Sequence, residues 1–172
     1  MKIKTILFYT VPLIYAGLIM QACSNDDDEQ PDPEFVATSA DFANFRSWAE
    51  VAVNQGPDPA LGTAHQGNDE TVTRTIYIKD DASRGSNGEF PVGTLVVKDT
   101  RDAEGNTMEV TAMVKRGNNF NPDNNDWEWF MLTPDGEIAE DNGMVMRGAA
   151  LMQGMCGGCH TQAANQDFIF SK

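Results

Sequence analysis

Five residues near the end of the chain, Cys156-Gly157-Gly158-Cys159-His160, constrain it more than any other feature. They hold two of its three cysteines and one of its two histidines, and only 12 residues follow them. Two thiols and an imidazole at this spacing could bind zinc, cycle as a dithiol, close a disulfide or carry a haem. A structural zinc site wants four protein ligands, and His65 is the only other histidine. A redox C-x-x-C belongs early, after a strand of a βαβ unit, and no such unit surrounds this one. A disulfide suits an exported protein but leaves His160 without a role. C-x-x-C-H is the attachment signature of c-type haem. The thiols add to the vinyl groups, and the adjacent imidazole ligates the iron. That reading uses all three side chains.

The other end of the chain points to export. Lys2 and Lys4 precede an apolar run over residues 6–20, interrupted by Pro12 and short for a membrane span. Ala22 directly before Cys23 suits cleavage by a lipoprotein signal peptidase, with Cys23 as the acylated N-terminus. Residues 1–22 are therefore expected to be a signal peptide. Residues 23–36 are acidic, carry Pro31 and Pro33, and are expected to be a solvated tether. The tether also resembles the acidic run that sends some Gram-negative lipoproteins to the cell surface. The expected location is the periplasmic side or the surface of the outer membrane.

Charge excludes one class of partner. Removing residues 1–22 takes two lysines from 12 basic side chains and none of the 26 acidic ones, so the formal charge moves from −14 to −16. Nucleic acid binding needs clustered Lys and Arg and is not expected. A basic, soluble redox partner would be steered in at low salt.

The domain, residues 37–172, reads as α+β with a dominant antiparallel sheet. Phe42, Phe45, Trp48, Ala49 and Ala52 recur at helical spacing, which predicts an N-terminal helix capped by Ser39 or Asp41. Four β-branched or aromatic segments follow, at residues 71–78, 93–99, 107–115 and 126–132, with turn-rich loops between them. A C-terminal helix from about residue 143 to 155 is expected to lead into the haem motif, and residues 167–170 could add a last short strand. Strand period places Thr94, Val96 and Lys98 on one face.

No Met follows His160, although electron-carrying cytochromes usually supply Met or a second His as sixth ligand. Met144, Met146, Met152 and Met155 read as packing. Met108, Met113 and Met131 lie in expected strands and could be axial, though core is the plainer reading. His65 sits in a Gly-rich loop and reads as surface. A five-coordinate haem with an open face follows, suited to small-molecule binding or oxidation.

The ordered set FRSWAEV, TRTIYIKDDA, GEFPVGTLVVKD, AMVKRGNNF, DWEWFML and MCGGCH…DFIFS resembles the cytochrome P-460 family, including cytochrome c-prime-beta, over nearly the whole mature domain. The resemblance implies a sheet-rich homodimer with one haem c per chain. It implies hydroxylamine oxidation in the P-460 members, whose haem carries a lysine cross-link, and gas binding in the c-prime-beta members, which lack it. On this resemblance Lys98 matches the cross-linking lysine, and Arg74 could pair with a haem propionate. Thr111 stands where the family places a distal glutamate. Glu109, two residues away on the same strand face, is then the candidate base. Trp48 also matches and reads as core or haem packing. Three functions are in contention: a lipid-anchored enzyme oxidising hydroxylamine or processing small nitrogen oxides, a nitric oxide-binding protein, and a six-coordinate electron carrier.

Overall fold

The computed structural model describes residues 33–170. The signal peptide, Cys23 and the tether up to residue 32 lie outside the described residues. The tether's last residues belong to the folded part: Phe35 N–H donates to the Arg116 carbonyl at 2.8 Å, and the Glu34 carboxylate meets Arg116 Nε at 2.8 Å. Gly117 makes this possible. A Cβ there would lie 2.3 Å from the Pro33 carbonyl oxygen.

Among the described residues eight strands form in chain order: β1 (Ala49–Gln55), β2 (Thr73–Ile78), β3 (Leu95–Arg101), β4 (Thr107–Lys115), β5 (Trp127–Leu132), β6 (Glu140–Asp141), β7 (Met144–Val145) and β8 (Arg147–Gly148). Six make one sheet in the order β1-β2-β3-β4-β5-β8, with every pairing antiparallel; β6 and β7 form a separate small hairpin. The four segments read as strands match β2 to β5, because β-branched and aromatic side chains pack well on a pleated surface.

The helical expectations need correction. Residues 39–52 are not a helix: two 3₁₀ turns, Ser39–Phe42 and Phe45–Ser47, lead into β1. Asn44 between them is left-handed at φ 57°, which stops α-propagation. Phe42 and Phe45 are still buried, because spacing of three residues suits a 3₁₀ turn as well as an α-helix. The C-terminal helix is likewise short. Residues 144–148 contain β7 and β8, and Met152, Gln153 and Gly154 have positive φ. Among the described residues only α1 (Met155–His160) is α-helical, and it consists of Met155 and the haem motif itself. Residues 167–170 form a turn and an irregular tail, with no strand.

Alternation along the strands splits the sheet into two faces. Tyr77, Leu95, Val97, Val110, Ala112 and Phe130 pack with Phe42 and Phe45 on one side. Ile76, Ile78, Val96, Met113 and Trp129 pack with Leu151, Phe168 and Ile169 of the C-terminal segment on the other. On the first face the fully buried Glu128 takes two bonds from Arg147, at 2.7 and 2.8 Å, and Arg147 also donates to the Ala37 carbonyl at 2.6 Å. This pair joins β8 and the N-terminal entry to the sheet. Trp48 also lies on this side, edge-on to Phe45 with ring centroids 6.5 Å apart, so it is core and not haem packing. Among the described residues no helix is long and apolar enough to cross a membrane.

Candidate functional site

The second face carries a cavity of about 600 Å³. Register builds its floor. Ile76 of β2, Lys98 of β3, Thr111 of β4 and Met131 of β5 are consecutive cross-strand partners, so their side chains form one row across the sheet. Val96, Met113 and Trp129 form the next row, and Glu109 stands one step the other way. The period-2 reading of Lys98 and Val96 therefore holds, and both line the cavity with Glu109 and Thr111.

Cys156, Cys159 and His160 line the same cavity. Both thiols are free, and burial pushes the Cys156 thiol up. Among the described residues no group of three His, Cys, Asp or Glu is arranged to hold a metal ion. His160 is held on three sides. Its Nδ1–H donates to the Phe168 carbonyl at 2.6 Å, and its ring lies 4.8 Å from Trp129 and 5.2 Å from Phe170 between centroids. Burial drives its pKa down to about 4, against the Phe168 carbonyl, which favours the charged ring. The imidazole is thus neutral at pH 7. With Nδ1 donating to a carbonyl, Nε2 carries the free lone pair that a metal requires.

The polar side of the cavity is a half-buried cluster. Burial lowers the Lys98 ammonium to about 8, although Glu109 pulls the other way. Burial raises the Glu109 carboxyl, but the hydrogen bond from His65 and the charges of His65 and Lys98 outweigh it and hold Glu109 below the usual glutamate range. His65 Nδ1 lies 3.0 Å from Glu109 Oε2. His65 is therefore no surface residue. It lines the cavity with Leu61, Gly62, Thr63 and Ala64 of its loop.

Arg74 explains how the loop gets there. Arg74 is 1% exposed. Its guanidinium donates to the carbonyls of Gly56, His65 and Gln66, the last at 3.2 Å. It is committed to the loop and is not among the cavity-lining residues. Asp58 N–H closes the loop on the Gly67 carbonyl at 2.7 Å, and a Cβ on Gly67 would strike Leu61 Cβ at 2.6 Å. His65 and Gln66 are both left-handed, at φ 49° and 57°, conformations that persist only where surrounding contacts over-determine them.

The residues fit a haem. The cavity is within the size range of cofactor sites, its lining is mostly apolar, and a C-x-x-C-H turn forms part of its wall with a neutral imidazole. An antiparallel sheet bearing such a site on one face defines a sheet-based c-type haem protein. The Cytochrome P460 family model matches residues 43–171, and the chain belongs to that family. Its cofactor is haem c with its iron, and the family connects it with hydroxylamine oxidation and small nitrogen ligands. No curated relative matches the chain.

Proposed function

We propose that this protein is an exported, lipid-anchored cytochrome that oxidises hydroxylamine or processes related small nitrogen oxides at an open haem c. Cys156 and Cys159 hold the haem, and His160 ligates its iron. The observation that carries the reading is the meeting of C-x-x-C-H, Lys98 and the His65–Glu109 pair in one cavity. A haem held by Cys156, Cys159 and His160 would supply the redox centre for this oxidation, with an external acceptor such as a soluble cytochrome as the electron sink.

The chain's own residues handle the protons. Glu109 is ionised at neutral pH and accepts a proton from the substrate N–H or O–H. His65, hydrogen-bonded to the same carboxylate, orients it. Thr111 has no proton-accepting role at neutral pH and shapes the floor. Lys98 is the candidate for a covalent link to the porphyrin edge, a C–N bond formed with loss of an amine N–H and a porphyrin C–H; this two-electron oxidation needs an external oxidant of the peroxide class. Only a neutral amine is nucleophilic, and a pKa near 8 leaves about a tenth of it neutral at pH 7. Anchoring rests on Cys23 and outer-membrane placement on the acidic run after it. A homodimer is what family likeness suggests.

A second reading is capture of nitric oxide without turnover, favoured by the largely apolar cavity lining. Steady-state hydroxylamine oxidation with a chemical electron acceptor separates the two. Turnover by wild type supports the enzyme. Nitric oxide binding without turnover supports the gas-binding protein.

A further inference from the structure

Behind the cavity lies a buried carboxylate with no part in the chemistry above. Asp167 is 3% exposed. It accepts hydrogen bonds from four groups on three separate segments: Lys115 Nζ at 2.9 Å, the Phe90 N–H at 2.7 Å, Asn125 Nδ2 at 2.7 Å and Trp127 Nε1 at 3.1 Å. Lys115 is itself 5% exposed. Surface turns do not require such a cluster, and burying two charges is costly unless both are fully bonded.

What the cluster holds is the next residue. Asp167 and Phe168 are both left-handed, at φ 51° and 63°. For a side chain as bulky as Phe this is an unfavourable conformation that needs outside support. The main-chain N–H groups of the two residues bend back to the carbonyls of Ala164 and Ala163. The Phe168 carbonyl is then left to receive His160 Nδ1–H at 2.6 Å.

We propose that Asp167 is a positioning residue for His160: its carboxylate clamps the strained turn that aims the Phe168 carbonyl at the imidazole Nδ1–H. The clamp rests on the reading of His160 as the iron ligand. A carbonyl acceptor behind a ligating histidine fixes its tautomer and raises its basicity. A more basic ligand favours ferric iron. The Lys115–Asp167 pair thus acts on the iron ligand through the Phe168 carbonyl, and neither residue lines the cavity.

The test uses covalently loaded holoprotein, with attachment checked by intact mass. Wild type must show an iron–histidine stretching band in the resonance Raman spectrum of the ferrous form. Its absence would overturn the ligand reading itself, independently of Asp167. In Asp167→Ala the band is expected at lower frequency or split, with a raised reduction potential. Asn125→Gly removes one donor at a position already left-handed at φ 47°, so the backbone tolerates it. It should show a smaller shift of the same sign, and it keeps the test open should Asp167→Ala not fold. Folded, loaded variants with the wild-type band and potential would overturn the proposal.

Discussion

His65 Nδ1 and Glu109 Oε2 lie 3.0 Å apart, although 44 positions separate them in the chain. The pair exists because the buried Arg74 side chain draws the loop carbonyls of Gly56, His65 and Gln66 onto the sheet. It turns an isolated strand carboxylate into a positioned one.

If Glu109 is the proton acceptor, Glu109→Gln should lower hydroxylamine oxidation by about 10²–10⁴-fold, the usual loss for a true base. His65→Gln should cost less, since the carboxylate remains. Wild-type rates in Glu109→Gln would reduce Glu109 to a bystander. Steady-state assays on holoprotein decide this.

The same pair predicts a pH effect with a definite sign. Glu109 has a depressed folded pKa. It stays ionised, and its bond to His65 stays intact, until pH falls below the ordinary glutamate value of 4.5. The acid limb of the rate profile should therefore lie below that value. His65→Ala removes the hydrogen bond that lowers the pKa and should move the limb upward. An unmoved limb would mean that another group controls it.

Lys98 should reveal itself in the optical spectrum. A bond from its amine to the porphyrin alters the macrocycle, so the reduced spectra of wild type and Lys98→Ala should differ. Identical spectra mean no cross-link and favour the gas-binding reading. A depressed pKa makes the amine more available as pH rises through about 8, so a link that forms after haem attachment should form faster at pH 8.5 than at pH 6.5.

Haem attachment is tested by mass. Replacing both Cys156 and Cys159 with Ala should abolish haem retention under denaturing conditions, and His160→Ala should disrupt ligation. A wild-type mass lacking haem, after maturation with the c-type assembly machinery, would remove the basis of every other site prediction. Fatty-acid labelling of wild type, but not of Cys23→Ala, is the matching expectation for the anchor.

Away from the site, Glu128→Ala should destabilise the fold by about 3–5 kcal/mol, the usual cost of orphaning one partner of a buried ion pair. Its two bonds to Arg147 hold β8 and, through the Ala37 carbonyl, the N-terminal entry. Urea unfolding of wild type and variant measures it. A change under 1 kcal/mol would mean that Arg147 finds water readily.

Much of this protein was legible without coordinates, and the physical reason is locality. Strand alternation repeats every two residues, so Val96 could be paired with Lys98, and Glu109 with Thr111, from their neighbours alone; the β3–β4 register put the two pairs on one sheet face. The haem motif is likewise complete within five residues. Other features depended on contacts between distant segments. Helical spacing at residues 39–52 became 3₁₀ turns and an edge strand because β1 found β2 as a partner. His65, read as surface, became part of the cavity because Arg74 holds its loop. Arg74 itself was read toward a propionate, and nothing in its local sequence marks three carbonyls as its partners. The acceptor behind His160 is a backbone carbonyl, whose identity no side-chain pattern encodes. Local periodicity decides which face a residue occupies; only the closed chain decides what meets it there.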